Sequence, residues 1–359
     1  MSASVQWDLL ENWARSLNKS DYSPRYTFND NGVIGSSIVY NSILGKNAYQ
    51  TGAYSAAGAP GSVNMVLGWN ASNPTKPTIG CRFYIPPGMS GAAEFGVKNS
   101  SGTICAYAAV DAVSGVVYIY DSTGLKYTSP NTVCLQGVPY YIEVSAIPSS
   151  TNGTIAVKIN QGNAFSETIV GANTDPTSVG SYQTAFLQGA NNSDSASTSF
   201  FTDIGVLDYA VSGNPQFYGD NNVQYLTATA NGATINFTPN GLSANWQNVA
   251  NIPPNTSDFN SSTTTGATDE FVVGNLSVLT ESVGGIYVVS NAENISGGLH
   301  TYSQQWSGSG GSTYGSGSAI TLTNGYLTYG SSPTTDPNTG AAWTLSGVNG
   351  MKIGYTLVS

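Results

Sequence analysis

Short runs of β-branched and aromatic residues, separated by turn sequences, fill the chain between residues 26 and 209. In residues 139–145, Tyr140, Ile142 and Val144 alternate with Tyr141, Glu143 and Ser145, which is the period of a strand with one face inward. The clearest runs lie at residues 82–85, 92–98, 103–110, 115–120, 139–145 and 153–159. Many short strands joined by Gly-, Asn- and Pro-containing turns predict an antiparallel β-sandwich over residues 26–212.

A second region of alternating strands follows residues 211–215, whose Ser, Gly and Pro are typical of a linker. Strands are predicted at residues 224–226, 234–237, 270–273, 285–289, 302–306, 319–322 and 352–358. Residues 307–318 are almost wholly Gly and Ser, which predicts a loose hairpin tip. We therefore predict an all-β chain in which a second antiparallel β-sandwich occupies residues 213–359.

The amino-terminal segment, residues 1–25, has a different spacing. Trp7, Leu10, Trp13 and Leu17 recur every three or four residues, which favours a helix with one apolar side, and Pro24 would end it. Such a helix would anchor the chain on a partner or pack on its own domain. The alternative is that this segment forms the first strand and turn of the fold.

Composition excludes several classes of protein. Only 8% of the 359 residues are charged and the net charge is −10. After residue 212 the only Lys or Arg is Lys352, which argues against nucleic-acid binding. No run reaches the length of a membrane-spanning helix, so membrane insertion is not expected. The start of the chain lacks the pattern of a secretory signal, and the odd set of cysteines, Cys81, Cys105 and Cys134, predicts reduced thiols.

Chemistry based on histidine has little support, because His300 is the single histidine of the chain. A Ser-His-Asp or Cys-His system would have to use it, and we expect a surface residue of a strand instead. Aromatic side chains are the better candidates for function, since they stack on sugars. Trp69, Tyr118, Tyr120 and Tyr127 are the predicted contacts with a glycan or host surface; core packing is the alternative for each.

The order of strand sequences in residues 83–161, with Gly115-Val-Val-Tyr-Ile-Tyr and Gly153-Thr-Ile-Ala-Val-Lys-Ile as its clearest parts, resembles a concanavalin A-like (laminin G-type) jelly roll. Residues 201–208 are similar to the final strand of that family, with Thr202 where an Asp is frequent. The resemblance implies calcium as the one cofactor to consider, with Asp203 and Asp208 as its ligands; turn-forming acids are the alternative.

The resemblance also raises glycoside hydrolysis, which needs two carboxylates. Candidate acids in this half of the chain are Glu94, Asp111, Glu143, Asp203 and Asp208. The Glu-x-Asp-x-x-Glu phrase of jelly-roll glycosidases does not occur in the sequence. We therefore predict that the chain is not an enzyme.

The last third of the chain resembles the carboxy-terminal module of structural proteins of tailed-bacteriophage particles. The matching residues, in order, include Trp246, Pro253, Pro254, Asp269, Asp336 and Trp343. They are architectural residue types: the prolines fix an extended turn, Asp336 opens a tight turn, and both tryptophans are predicted core anchors. An Arg-Lys-Asp phrase frequent in that family is replaced by residues 291–294, which contain no base.

Together these resemblances imply a component of the exterior of a virion, made in the cytoplasm of the bacterial host. A tail- or fibre-associated protein with a lectin-like domain for the host surface is the first hypothesis. A capsid decoration or head-fibre protein is the alternative, and a glycan-degrading jelly-roll enzyme is the second alternative. The expected partners are other virion proteins, further copies of the chain in a symmetric assembly and a host-surface glycan. The low charge favours close packing of identical copies, and many weak contacts would act through avidity.

Overall fold

The computed structural model describes residues 7–11, 26–29, 33–34, 37–44, 46–51, 53–54, 62–67, 73–189, 199–212, 214–251, 255–276 and 282–359. The described residues form two compact units, Trp7–Val223 and Gln224–Ser359. Within those ranges every strand pairing is antiparallel, and the all-β prediction is confirmed.

The strands of the first unit, in chain order, are β1 (Trp7–Glu11), β2 (Tyr26–Asn29), β3 (Val33–Ile34), β4 (Ser37–Asn41), β5 (Lys46–Gln50), β6 (Ala53–Tyr54), β7 (Ser62–Val66), β8 (Pro77–Tyr84), β9 (Ala92–Lys98), β10 (Ile104–Asp111), β11 (Val117–Asp121), β12 (Gly124–Thr128), β13 (Pro139–Ile147), β14 (Gly153–Ile159), β15 (Phe165–Ala172), β16 (Thr184–Gln188) and β17 (Phe200–Asp208).

Two large sheets face each other in this unit. Sheet A has the order β15-β14-β13-β8-β17-β5-β4, with β1 also paired to β17, and sheet B has the order β12-β11-β10-β9-β16-β7-β2. Alternate residues of both sheets point inward and form one buried cluster. Phe95 of sheet B lies edge-on to Phe83 and Phe201 of sheet A, with ring centroids 5.0 and 5.5 Å apart. This is the packing of a jelly-roll sandwich.

The predicted amino-terminal helix is wrong over its described part. Trp7–Glu11 is a β-strand that pairs antiparallel with β17, from Trp7 opposite Leu207 to Glu11 opposite Ile204. The ladder hydrogen bonds of β17 outweigh a helical spacing that spans few turns. The alternative, a first strand of the fold, is confirmed; residues 12–25 lie outside the described residues.

The second unit contains β18 (Ala228–Ile235), β19 (Thr238–Asn240), α1 (Asn245–Val249), β20 (Phe259–Ser261), β21 (Thr268–Val273), β22 (Val288–Ala292), β23 (Thr301–Ser307), β24 (Gly315–Ser316), β25 (Ile320–Thr321), β26 (Leu327–Ser331), α2 (Leu345–Val348) and β27 (Lys352–Leu357). Its main sheet has the order β18-β21-β27-β23-β24, with β25 also paired to β23. Val273, Val288, Trp306, Trp343 and Met351 meet in its core.

The Gly- and Ser-rich stretch at residues 307–318 is not loose, in contrast to the prediction. Strand β24 lies within it and pairs with β23. The Tyr314 hydroxyl donates to Glu270, whose carboxylate also lies 3.0 Å from the Lys352 ammonium. Tyr314 thus connects this stretch to a charge-paired carboxylate of β21.

Candidate functional site

The outer face of sheet A is covered by the chain itself. Residues 214–223, which we call the strap, follow the turn after β17 and lie over β8, β13 and β17. The strap's backbone N–H groups of Tyr218 and Gly219 donate to Glu143 Oε1 at 2.7 and 3.0 Å. The Phe217 ring lies beneath the Lys158 ammonium, 4.4 Å from its centroid. Glu143 is only 1% exposed as a result, and burial raises the pKa of its carboxyl.

An ion-pair cluster fixes the far end of the strap. Asp203, which is fully buried, lies 2.7 Å from the Lys46 ammonium and 3.2 Å from Arg82 Nε, and it accepts the Val223 N–H at 3.0 Å. Arg82 also binds Asp220 of the strap at 2.6 Å.

A β-bulge directs Asp203 outward. The register of β17 shifts between Thr202 and Gly205, and Asp203 has a φ of +51°, so it faces outward although Phe201 and Ile204 on either side are in the core.

The predicted calcium ligands are occupied by protein groups. Both oxygens of Asp203 face cationic side chains. Asp208 accepts the N–H groups of Thr75, Lys76 and Ala210, each at 2.9 Å, which closes a turn. Among the described residues, no group of three or more His, Cys, Asp or Glu side chains is placed to hold a metal. Calcium binding at these two residues stays a prediction that this geometry does not favour.

The outward face of sheet B, which we call the open face, carries half-buried polar and aromatic side chains among the described residues. In β11 the buried residues Val117 and Ile119 alternate with the half-buried Tyr118 and Tyr120, so both tyrosines point outward, away from the core. The neighbouring strand places Tyr107 opposite Tyr120. The two rings are stacked, with centroids 4.5 Å apart and an angle of 3° between planes, and the Tyr118 ring lies 6.4 Å from that of Tyr120.

Polar side chains continue the open face beyond the tyrosines. Glu94 of β9 lies opposite Ala109 on one side and Gln188 on the other, and its Oε2 accepts a hydrogen bond from Gln188 Nε2 at 3.1 Å. Lys98, four residues along the same strand, donates to Asn64 Oδ1 at 2.8 Å. We refer to the half-buried Asn64, Glu94, Lys98, Tyr107, Tyr118, Tyr120 and Gln188, together with the fully buried Phe186, as the open-face cluster.

A glycine in β9, Gly96, makes room for the side chains of this cluster. A Cβ at Gly96 would lie 2.5 Å from Tyr107 Cβ and 2.9 Å from Phe186 Cε1, so only glycine allows both rings to approach the strand between them. The Phe186 ring in turn lies 4.8 Å from the Lys98 ammonium, a cation–π contact. The missing side chain at Gly96 therefore lets the Tyr107 and Phe186 rings lie close together, beside the Lys98 ammonium.

The carboxyl of Glu94 has altered acidity. Burial raises its pKa to about 7, and the nearby Lys98 ammonium opposes part of that rise. Burial also lowers the pKa of Lys98, with Glu94 acting against it, and raises the pKa values of Tyr107 and Tyr120. At neutral pH Glu94 thus exists in both protonation states, while both tyrosines keep their hydroxyl protons.

The predicted contact residues are only partly brought together. Tyr118 and Tyr120 lie in the open-face cluster. Tyr127 packs against the core and contacts Phe165, with ring centroids 6.1 Å apart, and Trp69 lies outside the described residues. The sequence analysis did not identify Tyr107, Lys98, Gln188 or Asn64 as site residues. Lys98 could have been found, because it lies an even number of residues from Glu94 in β9 and therefore shares its face.

The remaining candidate acids do not join Glu94. Glu143 and Asp203 lie under the strap. Asp111 accepts the N–H groups of Val113 and Ser114 in a turn, as Asp208 does elsewhere. A pair of these five carboxylates suited to a glycosidase is therefore not formed on the open face.

The residues predicted as structural anchors of the second unit differ in how deeply they are buried. Asp269 is fully buried and accepts the N–H groups of Asn236 and Phe237 at 2.8 Å. Asp336 caps a turn through the N–H of Asn338 at 2.9 Å, and Trp343 is buried in the core. Trp246 differs from its prediction as a core anchor, because it lies in α1 and is half-buried. Pro253 and Pro254 lie outside the described residues.

The single histidine and the three cysteines were also considered in the sequence. His300 is half-buried just before β23, with Nδ1 2.9 Å from the carbonyl oxygen of Ser359. The three cysteines are buried free thiols. In the part of the chain that the structure describes, no helix is long and apolar enough to cross a membrane.

No family model matches the chain, and no curated protein matches it. Solved structures with a similar fold include an alginate lyase from Chlorella virus (15% identity, 54% of this chain and 98% of that one, TM-score 0.38). Lectin II from Ulex europaeus is also similar (11%, 56% and 98%, 0.37). A third is the CBM2 module of the evolved Dit of Lactobacillus casei BL23 phage J-1 (11%, 57% and 96%, 0.38). At these identities the likeness concerns the fold alone.

One prediction is overturned by these matches. We expected the chain not to be an enzyme, yet alginate lyases recur among the similar structures. The expectation rested on the lack of a carboxylate pair and of a histidine system, and such criteria do not cover every glycan-cleaving protein.

Proposed function

We propose that the first unit binds a glycan on the open face of sheet B. The observation that carries this proposal is the contrast between the two sheets: the strap closes the outer face of sheet A, whereas sheet B presents stacked tyrosines beside polar groups. Aromatic rings pack on the apolar faces of sugars, and Gln188, Asn64 and Glu94 offer hydrogen bonds to hydroxyls.

We further propose that the chain performs this role on the exterior of a tailed-phage particle, in the tail or fibre. The support is the carboxy-terminal sequence block around Asp269, Asp336 and Trp343. Repeated copies would multiply a weak contact per site into strong attachment. A capsid decoration protein would carry the same block, and a particle-labelling experiment separates the two locations.

The glycan proposal is tested by incubating the full chain with a glycan array and then repeating the array with Tyr120→Ala. Loss of the bound set in Tyr120→Ala, with retention in Tyr40→Ala, supports the proposal; Tyr40 is a matched control because it is 65% exposed on sheet A. Equal binding by all three proteins would place the site elsewhere. Antibody labelling of purified particles, viewed by electron microscopy, tests the tail location.

Glycan cleavage is the second candidate, and the acidity of Glu94 favours it. A carboxyl group with a pKa of about 7 both accepts and donates protons at neutral pH, and Tyr107 and Lys98 lie in the same cluster. Polysaccharides incubated with the protein would gain reducing ends, and Glu94→Gln would abolish that gain. Binding without any product over long incubation would leave recognition as the role of the face.

A further inference from the structure

The Lys98 ammonium forms no direct ion pair with any carboxylate of the described residues. It donates one hydrogen bond, to Asn64 Oδ1 at 2.8 Å, and lies over the Phe186 ring. No described carboxylate lies within 4.0 Å of it; the same holds for Lys76 and Lys158, which lie over aromatic rings, whereas Lys46, Arg82, Lys126 and Lys352 each form an ion pair. An ammonium carries three N–H donors, and a half-buried one is stabilised by a counter-charge.

The Glu94 carboxyl gives Lys98 only part of a negative counter-charge, because it is partly protonated at neutral pH. Glu94 is held by Gln188 at 3.1 Å, and burial raises its pKa to about 7. Below neutral pH the open face therefore has a cation and a protonated carboxyl. The ionisable groups facing Glu94 are Lys98 on β9, Tyr107 on β10 and Tyr120 on β11, while the pairing residue on β16 is the neutral Gln188.

We infer that the glycan bound on the open face is anionic, with a carboxylate or sulfate of one sugar set against Lys98 and the Glu94 carboxyl beside it. This inference rests on the proposed glycan-binding function and names the chemical class of the ligand. The protonated carboxyl donates a hydrogen bond to the ligand anion, and the tyrosines pack on the sugar rings. An ionised Glu94 repels the same anion.

The ligand class is tested with the full chain on an array that pairs each acidic glycan with a neutral counterpart. Uronate and sialylated oligosaccharides are printed beside their methyl esters, and sulfated oligosaccharides beside their desulfated forms. We expect esterification or desulfation of the bound glycans to weaken binding about tenfold, the scale of one charge-assisted contact. The arm that loses binding identifies the anion.

The best anionic glycan is then measured by calorimetry at pH 6 and pH 8. Because Glu94 must be protonated, affinity falls about tenfold between these values for a pKa near 7. Glu94→Gln removes this pH dependence, and Lys98→Gln weakens the anionic ligand while sparing its neutral counterpart. Lys76→Gln is the control, since Lys76 lies against Tyr209 rather than in the cluster.

The outcomes separate the two proposals. Binding confined to neutral glycans, or equal binding of each acid and its ester, overturns the anionic inference and leaves the glycan-binding function standing. A pH dependence that persists in Glu94→Gln overturns the role given to that carboxyl. Folded protein that binds no glycan of either kind overturns both; circular dichroism of each variant establishes that it is folded.

Discussion

The phenol ring of Tyr107 lies parallel to that of Tyr120, with ring centroids 4.5 Å apart. Isolated aromatic rings prefer offset or edge-on arrangements because their negative faces repel. The parallel planes and this separation correspond to an offset-stacked pair, and the pairing of β10 with β11 brings the rings together by setting the two residues directly opposite each other. The result is a preformed aromatic surface whose two rings lose little freedom when a ligand packs on them.

Removal of one ring of this pair is expected to weaken glycan binding. Tyr120→Ala takes away one stacked surface and leaves Tyr107 without its support, and we expect affinity to fall roughly three- to tenfold. Calorimetry with the array-selected glycan measures the change. Tyr120→Phe, which keeps the ring, should retain most of the affinity; a Phe variant as weak as the Ala variant would assign the effect to the hydroxyl.

Replacement of Glu94 by Gln should raise the free energy of unfolding at alkaline pH. A folded-state pKa of about 7, above that of the unfolded chain, confers stability that is complete below about pH 4.5 and is lost as pH rises through about 7. Glu94→Gln cannot ionise and escapes this loss. Urea denaturation should show the variant more stable than the wild type by about 1–3 kcal/mol at pH 8.5 and similar to it at pH 4.5. A constant difference at both pH values would contradict the linkage.

Loss of the Asp203 charge should destabilise the first unit. Asp203→Asn keeps a residue that tolerates a positive φ but leaves Lys46 and Arg82 without their buried counter-charge. We expect a cost of about 2–4 kcal/mol, because a buried pair is broken while its cations stay partly solvated. Asp220→Asn is the matched control: its carboxylate also pairs with Arg82 but is one-third exposed, and about 1 kcal/mol or less is expected.

A side chain at Gly80 should detach the strap. A Cβ there would lie 2.5 Å from the hydroxyl oxygens of Tyr141 and Tyr218, so Gly80→Ala forces the Tyr218 ring outward. Chymotrypsin should then cleave after Phe217 or Tyr218 faster than in the wild type. Gly325→Ala, at a position with nothing within 4 Å of the added atom, should leave the cleavage rate unchanged.

Trp343 is expected to hold the core of the second unit. Its side chain is 3% exposed and its Nε1 donates to the Pro333 carbonyl at 3.0 Å. Trp343→Ala should lower the free energy of unfolding of this unit by about 3–5 kcal/mol. Trp343→Phe keeps much of the side-chain volume but leaves the Pro333 carbonyl without its hydrogen-bond donor. We expect this variant to lower the free energy of unfolding by about 1–3 kcal/mol. A loss in Trp343→Phe as large as in Trp343→Ala would assign the stability to the hydrogen bond rather than to packing.

The sequence contained enough information for the strands of the first unit, because their alternation and turn residues are local signals. Tyr118 and Tyr120 were predicted only as contact residues, and their alternation with Val117 and Ile119 is the local signal that they share one face. Tyr107 and Lys98 were missed as site residues, since their relation to Tyr120 and Glu94 depends on register between strands. Trp7–Glu11 was misassigned for a related reason: its partner, β17, lies about two hundred residues further along the chain.

The sequence of the second unit indicates fewer of its contacts. The segment at residues 307–318 has the composition of a flexible linker, and one aromatic residue, Tyr314, changes its behaviour by reaching Glu270. Similarly, Trp246 follows a short run that favours neither strand nor helix, and the side chain of Gln247 helps to begin α1 by accepting the Ala244 N–H. Single contacts of this kind are not encoded in composition.

The attachment of the strap has a consequence for recombination between related chains. A crossover at residue 212, where the composition suggests a linker, would separate Glu143 and Asp203 from the segment that covers them. A crossover after Val223 would carry the whole sandwich together with its cover. Exchange of the first unit between such chains should therefore succeed at the later junction and yield misfolded hybrids at the earlier one.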